Sequence, residues 1–230
     1  MGEHVEFPSN GTTGEGYLAT PSGGSGPGVI VIQEWWGLVD HIKHVADRFA
    51  ADGFVALAPD LYHGSSASLT EPDEAGKLMM SMSLAKAGKD LSGAVDFVAE
   101  RSTGDGIGVV GFCMGGGLTL MLASQRPDKV KAAVPFYGAI PWEGAQPDLS
   151  RISAAVQGHY AADDDWASPE VARALEKQLR DLGKDAEVFI YEGACHAFFN
   201  DDRPEVYNAE AAAKAWERTI AFLKAKLASS

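Results

Sequence analysis

The sequence predicts an α/β domain, built on a mostly parallel central sheet with helices on both faces. Three observations carry this. Short unbroken apolar runs, such as Gly28–Gln33 (GVIVIQ) and Phe54–Ala58 (FVALA), have the length and composition of strands buried on both sides. Amphipathic stretches of helical spacing alternate with these runs along the chain. One strand, Gly106–Phe112, leads through a glycine-flanked turn straight into an apolar helix.

Taken in order, the first residues and Thr12–Ala19 read as antiparallel edge strands. Ser22–Gly28 (SGGSGPG) is too short for a domain linker and reads as a loop. The strand Gly28–Gln33 follows. Asp40–Ala51 has apolar residues at helical spacing, with Asp40 placed to cap it and Gly53 to end it. Phe54–Ala58 is the next strand and Leu61–Thr70 a loop. Glu71–Glu100 reads as helical, with a break near Gly88. After the strand Gly106–Phe112 come a helix over Gly115–Gln125 and strands over Lys131–Tyr137 and Ile152–Gly158. A helix over Ser168–Leu182, the last strand Ala186–Tyr191 and a helix over Val206–Leu227 complete the pattern.

At 230 residues the chain suits one domain, able to bury roughly 70–75% of its unfolded surface. Its net charge of −13 repels phosphate backbones and anionic bilayers, which argues against nucleic-acid and membrane partners. The two cysteines, Cys113 and Cys195, make no disulfide framework. Neither a signal-peptide core nor an apolar run of membrane-spanning length is visible, so a cytoplasmic protein is expected.

The sharpest motif is Gly111-Phe112-Cys113-Met114-Gly115. It is the G-x-S-x-G nucleophile elbow with cysteine in the serine position. Small residues two before and two after the nucleophile let the tight turn form, and the helix N-terminus beyond it favours a thiolate. A buried structural cysteine is the plainer reading of such a residue. The nearby Gly104-Asp105-Gly106-Ile107-Gly108 is no dinucleotide fingerprint, because it precedes the strand instead of following it.

A nucleophile elbow predicts an acid and then a histidine further along the chain. His196, in Gly193-Ala194-Cys195-His196-Ala197-Phe198-Phe199, is the only histidine beyond position 159. The acid comes from Asp163-Asp164-Asp165, and the residues alone leave the choice among the three open. Gln33-Glu34-Trp35-Trp36-Gly37 closes the first core strand, where this architecture supplies an oxyanion-hole N–H; Trp35 and Met114 are the two backbone candidates. Glu34 would then stand near the thiol, either keeping it protonated at rest or taking its proton when substrate arrives.

With these residues in view the chain resembles the dienelactone hydrolase (carboxymethylenebutenolidase-like) family of the α/β-hydrolase fold. The resemblance runs from about Val29 to Leu223. It rests on Gln33-Glu34 with Gly37, Ala58-Pro59-Asp60-Leu61-Tyr62, Gly111-Phe112-Cys113-Met114-Gly115-Gly116, Phe136-Tyr137-Gly138, the Asp cluster, and Tyr191-Glu192-Gly193 with His196-Ala197-Phe198. It implies a triad of Cys113, an Asp of the cluster and His196, with Glu34 activating the thiol. The family spacing from His159 favours Asp164, with Trp166 two residues on; the spacing to Pro169 would select Asp165.

The departures concern substrate. The family holds a substrate carboxylate with two arginines. One position corresponds to Asn200 here, and the segment Tyr62–Glu100 that should supply the other contains no arginine. Arg203 lies seven residues after His196. Trp36, Tyr137, Trp166 and Phe198 fall on loops expected to ring the site and line it for an apolar or aromatic acyl group.

The resulting expectation is a single-domain hydrolase of a small ester or lactone, acting through an acyl-cysteine, without cofactor or metal, as a monomer or homodimer. A general carboxylesterase or thioesterase on the same site is the first alternative. From other classes come a degenerate hydrolase serving as a binding module, and a thiol redox sensor pairing Cys113 with Cys195.

Overall fold

In the computed structural model, which describes residues 2–228, one eight-stranded sheet runs through the molecule in the order β1-β2-β4-β3-β5-β6-β7-β8. The strands are β1 (Glu3–Ser9), β2 (Thr12–Ala19), β3 (Pro27–Ile32), β4 (Val55–Pro59), β5 (Thr103–Phe112), β6 (Val130–Phe136), β7 (Ala155–Asp163) and β8 (Ala186–Cys195). β1 and β2 form an antiparallel hairpin, and β2 joins β4 antiparallel; from β4 through β3 to β8 every pairing is parallel.

The helices are α1 (Asp40–Ala51), α2 (Pro72–Ser81), α3 (Leu84–Ala99), α4 (Met114–Gln125), α5 (Pro169–Asp181) and α6 (Ala209–Leu227). α1 and α6 cover one face, joined by Trp216 Nε1 donating to Asp52 at 3.0 Å and by the Trp216 ring packed on Phe49. α3, α4 and α5 cover the other. α4 is buried along its whole length to Ser124, which accounts for its apolar character on every side. Among the described residues, no helix is long and apolar enough to cross a membrane.

Chain connectivity sets the place of the site. After β3 the chain moves outward to β4, then returns across β3 to form β5 on its other side. The carboxyl ends of β3 and β5 therefore open onto the crevice where the winding reverses, which is where open α/β sheets bind ligands.

Three sequence expectations shift. The Glu71–Glu100 stretch breaks at Met82–Ser83, not at Gly88: Met82 is extended, and the Ser83 side chain accepts from the Lys86 N–H at 3.3 Å to start α3. Gly88 lies inside α3, where a Cβ would make only ordinary contact with Gln125. Ile152 closes a short 3-10 turn instead of starting β7, and β7 runs on past Gly158 to Asp163. It does so because His159 is fully satisfied inside the core, with Nδ1 2.9 Å from the Tyr191 hydroxyl and Nε2 3.1 Å from that of Thr219. Burial drives the His159 imidazole down to about 3, so it is neutral. Lastly, Asp40 is the first residue of α1, and Val39 stands at the cap without a side-chain bond.

Candidate active site

The turn between β5 and α4 holds Cys113 at φ +55°, a conformation that side-chain-bearing residues rarely adopt. Two glycines make it possible. A Cβ on Gly111 would lie 2.1 Å from the Gly115 carbonyl oxygen, and one on Gly115 would lie 2.5 Å from the carbonyls of Ile32 and Gln33. The turn is thus pressed directly against the end of β3. The Cys113 N–H donates to the Phe136 carbonyl at 3.0 Å, tying the turn to β6 as well. Tyr137 (φ +36°) and Ala197 (φ +65°) are strained in the same sense, so three such residues gather around one point.

Cys113 is 3% exposed and lines a cavity of about 100 Å³ together with Glu34, Trp35, Trp36, Trp166, His196, Ala197 and Arg203. His196 Nδ1 lies 2.7 Å from Asp164 Oδ2. Since an ionised carboxylate only accepts, Nδ1 carries the proton and donates. Asp164 Oδ1 accepts from the backbone N–H groups of Trp166 and Ala167, both at 2.9 Å. Asp164 is buried, while Asp163 and Asp165 are exposed. Burial opposes ionisation of Asp164, but His196 and the two N–H donors hold its carboxyl below the usual range. Burial likewise opposes a charge on His196. The hydrogen bond to Asp164 and the Cys113 sulfur outweigh it and push the imidazolium up to about 10. Nε2 of His196, the nitrogen left over, is buried and has no hydrogen-bond partner among the described residues.

Glu34, at the end of β3, is 1% exposed. Its Oε1 accepts from the Tyr137 hydroxyl at 3.2 Å and its Oε2 from Asn200 Nδ2 at 2.7 Å. It shares the cavity with Cys113 but makes no hydrogen bond to it among the described residues. Asn200 reaches Glu34 because the chain turns back sharply after His196, with the Asn200 N–H donating to the Ala197 carbonyl at 2.9 Å. Burial, then the proximity of Glu34 and Cys113, keeps the Tyr137 phenol protonated. Asn200→Ala leaves one buried Glu34 oxygen without its donor. A loss of about 2 kcal/mol in urea-unfolding free energy is expected, together with a changed pH profile of kcat/KM; an unaltered profile would mean that Asn200 only holds the loop.

The Trp35 and Met114 backbone N–H groups donate to no protein acceptor among the described residues. Tyr62, from the Asp60-Leu61-Tyr62 segment, joins the two residues: its hydroxyl lies 3.1 Å from the Trp35 carbonyl and 3.5 Å from Met114 Sδ. Asp60 fixes that segment by accepting from the Tyr62 and Gly64 N–H groups at 3.0 and 2.6 Å.

The model of the dienelactone hydrolase family matches residues 15–227. The chain belongs to the dienelactone hydrolase family. Its α/β-hydrolase fold and its class, carboxylic ester hydrolase, follow from that membership. The chain is 41% identical to "Protein usf" of Aquifex pyrophilus, over 97% of this chain and 98% of that one. It is 37% identical to the "Putative carboxymethylenebutenolidase" of Aquifex aeolicus, over 99% of this chain and all of the other. Among solved structures, the "Putative Dienelactone Hydrolase" of Klebsiella pneumoniae superposes with a TM-score of 0.85 at 28% identity, covering 97% of this chain and 98% of that one.

Within this family member, the structure brings Glu34, Trp35, Trp36, Cys113, Trp166 and His196 to one cavity, with Asp164 directly behind His196. Two residues expected to line it do not. Phe198 is fully buried against Phe136, Tyr137 and Tyr191, and Tyr137 is a buried partner of Glu34. Both are large aromatics on loops near the site, and only packing separates a core residue from a lining one. Cys195 does not line the cavity; its thiol is turned to the Val206 carbonyl at 3.8 Å, and both cysteines are free.

Sequence reading missed three supporting residues: Asn200, Tyr62 and Tyr137 in its actual role. Asn200 was visible only as a departure from the family pattern. Arg203 does line the cavity, its guanidinium 5.5 Å from the Trp36 ring centre and paired with Glu205 at 2.8 Å.

Proposed function

We propose that this hydrolase cleaves a small ester or lactone through an acyl-cysteine intermediate on Cys113. One observation carries the reading: a His196 imidazolium, backed by a buried Asp164, faces the same small cavity as the elbow cysteine.

In the first half-reaction the Cys113 sulfur attacks the carbonyl carbon. A C–S bond forms and the carbonyl electron pair moves onto oxygen, toward the Trp35 and Met114 N–H groups. Collapse of this intermediate breaks the C–O bond, and His196 Nε2 gives its proton to the departing alkoxide. In the second half-reaction a water gives a proton back to His196 as its oxygen attacks the thioester. The C–S bond breaks, releasing a carboxylic acid and restoring the thiolate. Asp164 holds the imidazole in the tautomer and orientation that both halves need. Glu34, fixed by Tyr137 and Asn200, shares the cavity with Cys113. A lactone suits a thiol nucleophile because its leaving alkoxide stays tethered to the acyl-enzyme.

The test is intact-mass analysis of the protein quenched in acid after mixing with p-nitrophenyl acetate or with a six-membered lactone. An acyl adduct that maps to Cys113 and turns over is the expected result. Steady hydrolysis without an adduct, and with Cys113 unmodified by iodoacetamide under native conditions, would overturn the mechanism.

A further inference from the structure

A second and larger cavity, of about 460 Å³, lies across Trp166 from Cys113. Among the described residues, Trp166 alone lines both it and the catalytic cavity. Its indole stands 5.5 Å from the His196 ring and 6.2 Å from the Trp35 ring, centre to centre, so it forms the wall between them. The floor of this groove comes from the second turn of α4 (Leu120), its sides from the loop after β6 (Ile140) and from α5 (Val171, Leu175).

Three features point to a ligand. Among the described residues no charged side chain lines this groove, although the chain carries a net charge of −13 and each of the other described cavities has charged side chains in its lining. Trp166 and Val171, two of the most exposed large apolar side chains of the described molecule, at 39% and 52%, both border it. Its volume falls in the range of roughly 300–1,000 Å³ usual for small-molecule sites, whereas the catalytic cavity of about 100 Å³ holds a reacting carbonyl and little else.

We infer that this groove binds the apolar arm of the ester substrate, a medium-length alkyl chain or an aryl group, with Trp166 as the partition over which the substrate lies. The inference rests on the hydrolase reading of Cys113 and deepens it by naming the substrate class. Among the described residues the lining offers no cation to pair with a carboxylate on that arm, so an uncharged arm suits it better.

The experiment compares p-nitrophenyl acetate, p-nitrophenyl octanoate and octyl acetate on the wild type and on Ala174→Trp. Ala174 is an exposed α5 residue bordering the groove, so a tryptophan there fills the groove from outside the core. The wild type is expected to prefer one eight-carbon substrate over the acetate by at least about tenfold in kcat/KM, and the variant to lose that preference by a similar factor. A preference for p-nitrophenyl octanoate assigns the groove to the acyl side; one for octyl acetate assigns it to the alcohol side. Equal kcat/KM along the series, with Cys113 still acylated by the short ester, would overturn the inference and leave the mechanism standing. If no ester is turned over, the mechanism falls, and calorimetry of methyl octanoate with Cys113→Ala still reads the groove: binding weakened about tenfold by the added Ala174→Trp supports it, and absent or unaltered binding overturns it. A dimer in sedimentation that Ala174→Trp converts to a monomer would place a second copy of the chain there and also overturn it.

Discussion

Cys113→Ala is expected to lower kcat/KM for any ester substrate by on the order of 10⁴-fold or more while leaving the fold in place. In the proposed mechanism the loss is large because the other groups act through the covalent step: without the sulfur no C–S bond forms, and the Trp35 and Met114 N–H groups have no tetrahedral centre to bind. The fold survives because the elbow is held by its backbone. The Cys113 N–H bond to Phe136 and the close approach of Gly111 to Gly115 do not involve the thiol. Alanine at φ +55° keeps the strain of the native turn. Cys113→Gly relieves it, and it should unfold at a higher temperature than the alanine variant by the equivalent of about 1 kcal/mol. Equal activity in wild type and Cys113→Ala would remove the nucleophile; equal melting of the alanine and glycine variants would remove the strain.

The elements that set the site were legible because local chemistry decides them. An apolar run of six residues between loops has few options, and a glycine two positions either side of a cysteine at a strand end describes a turn. The order of acid and histidine along the chain follows from the topology. What was not legible depends on contacts between distant segments. Glycine is a weak helix former, so local sequence points to a break at Gly88, whereas in the fold the Ser83 side chain accepts from the Lys86 N–H and starts the second helix. β7 extends past Gly158 only because Tyr191 and Thr219, both distant in sequence, satisfy the ring of His159. Among three consecutive aspartates nothing local marks Asp164; its burial and its two backbone donors come from the way the loop folds under Trp166. Asn200 is the most instructive case. Read against the family pattern it is a missing arginine, whereas in the structure it is a donor to the buried Glu34, so the absent positive charge also removes one reason for an anionic substrate.

Asp164→Asn is expected to reduce kcat by about 10⁴-fold, and this variant also tests the ionic state of the site through pH. The asparagine can present a donor to Nδ1, which stabilises the wrong tautomer and leaves the imidazolium without its counter-charge. In the native protein His196 is pushed up to about 10 from its ordinary value of 6.5, despite its burial, by Asp164 and by the Cys113 sulfur. The sign of the stability effect follows. A group whose folded value is raised contributes in full below the unfolded value near 6.5, and that contribution is lost as pH rises through 10. Asp164 is shifted down, so its part is present above the unfolded carboxylate value and lost as pH falls through its lower folded value. The two are one interaction and count once. Between them lies a window, from about pH 4 to pH 6.5, in which the pair contributes most. Melting temperature should therefore fall on the alkaline side in the wild type, starting above pH 6.5, and this fall should be much smaller in Asp164→Asn. Observing the His196 ring by NMR titration gives the direct reading. A wild-type imidazole that titrates near 6.5 would mean that no ion pair exists between His196 and its neighbours, and the thiolate would have to be generated only once substrate is bound. A titration near 10 that drops by several units in Asp164→Asn, with the alkaline loss of stability dropping alongside it, would establish that the carboxylate keeps the imidazolium charged and so keeps the attacking sulfur paired before substrate arrives.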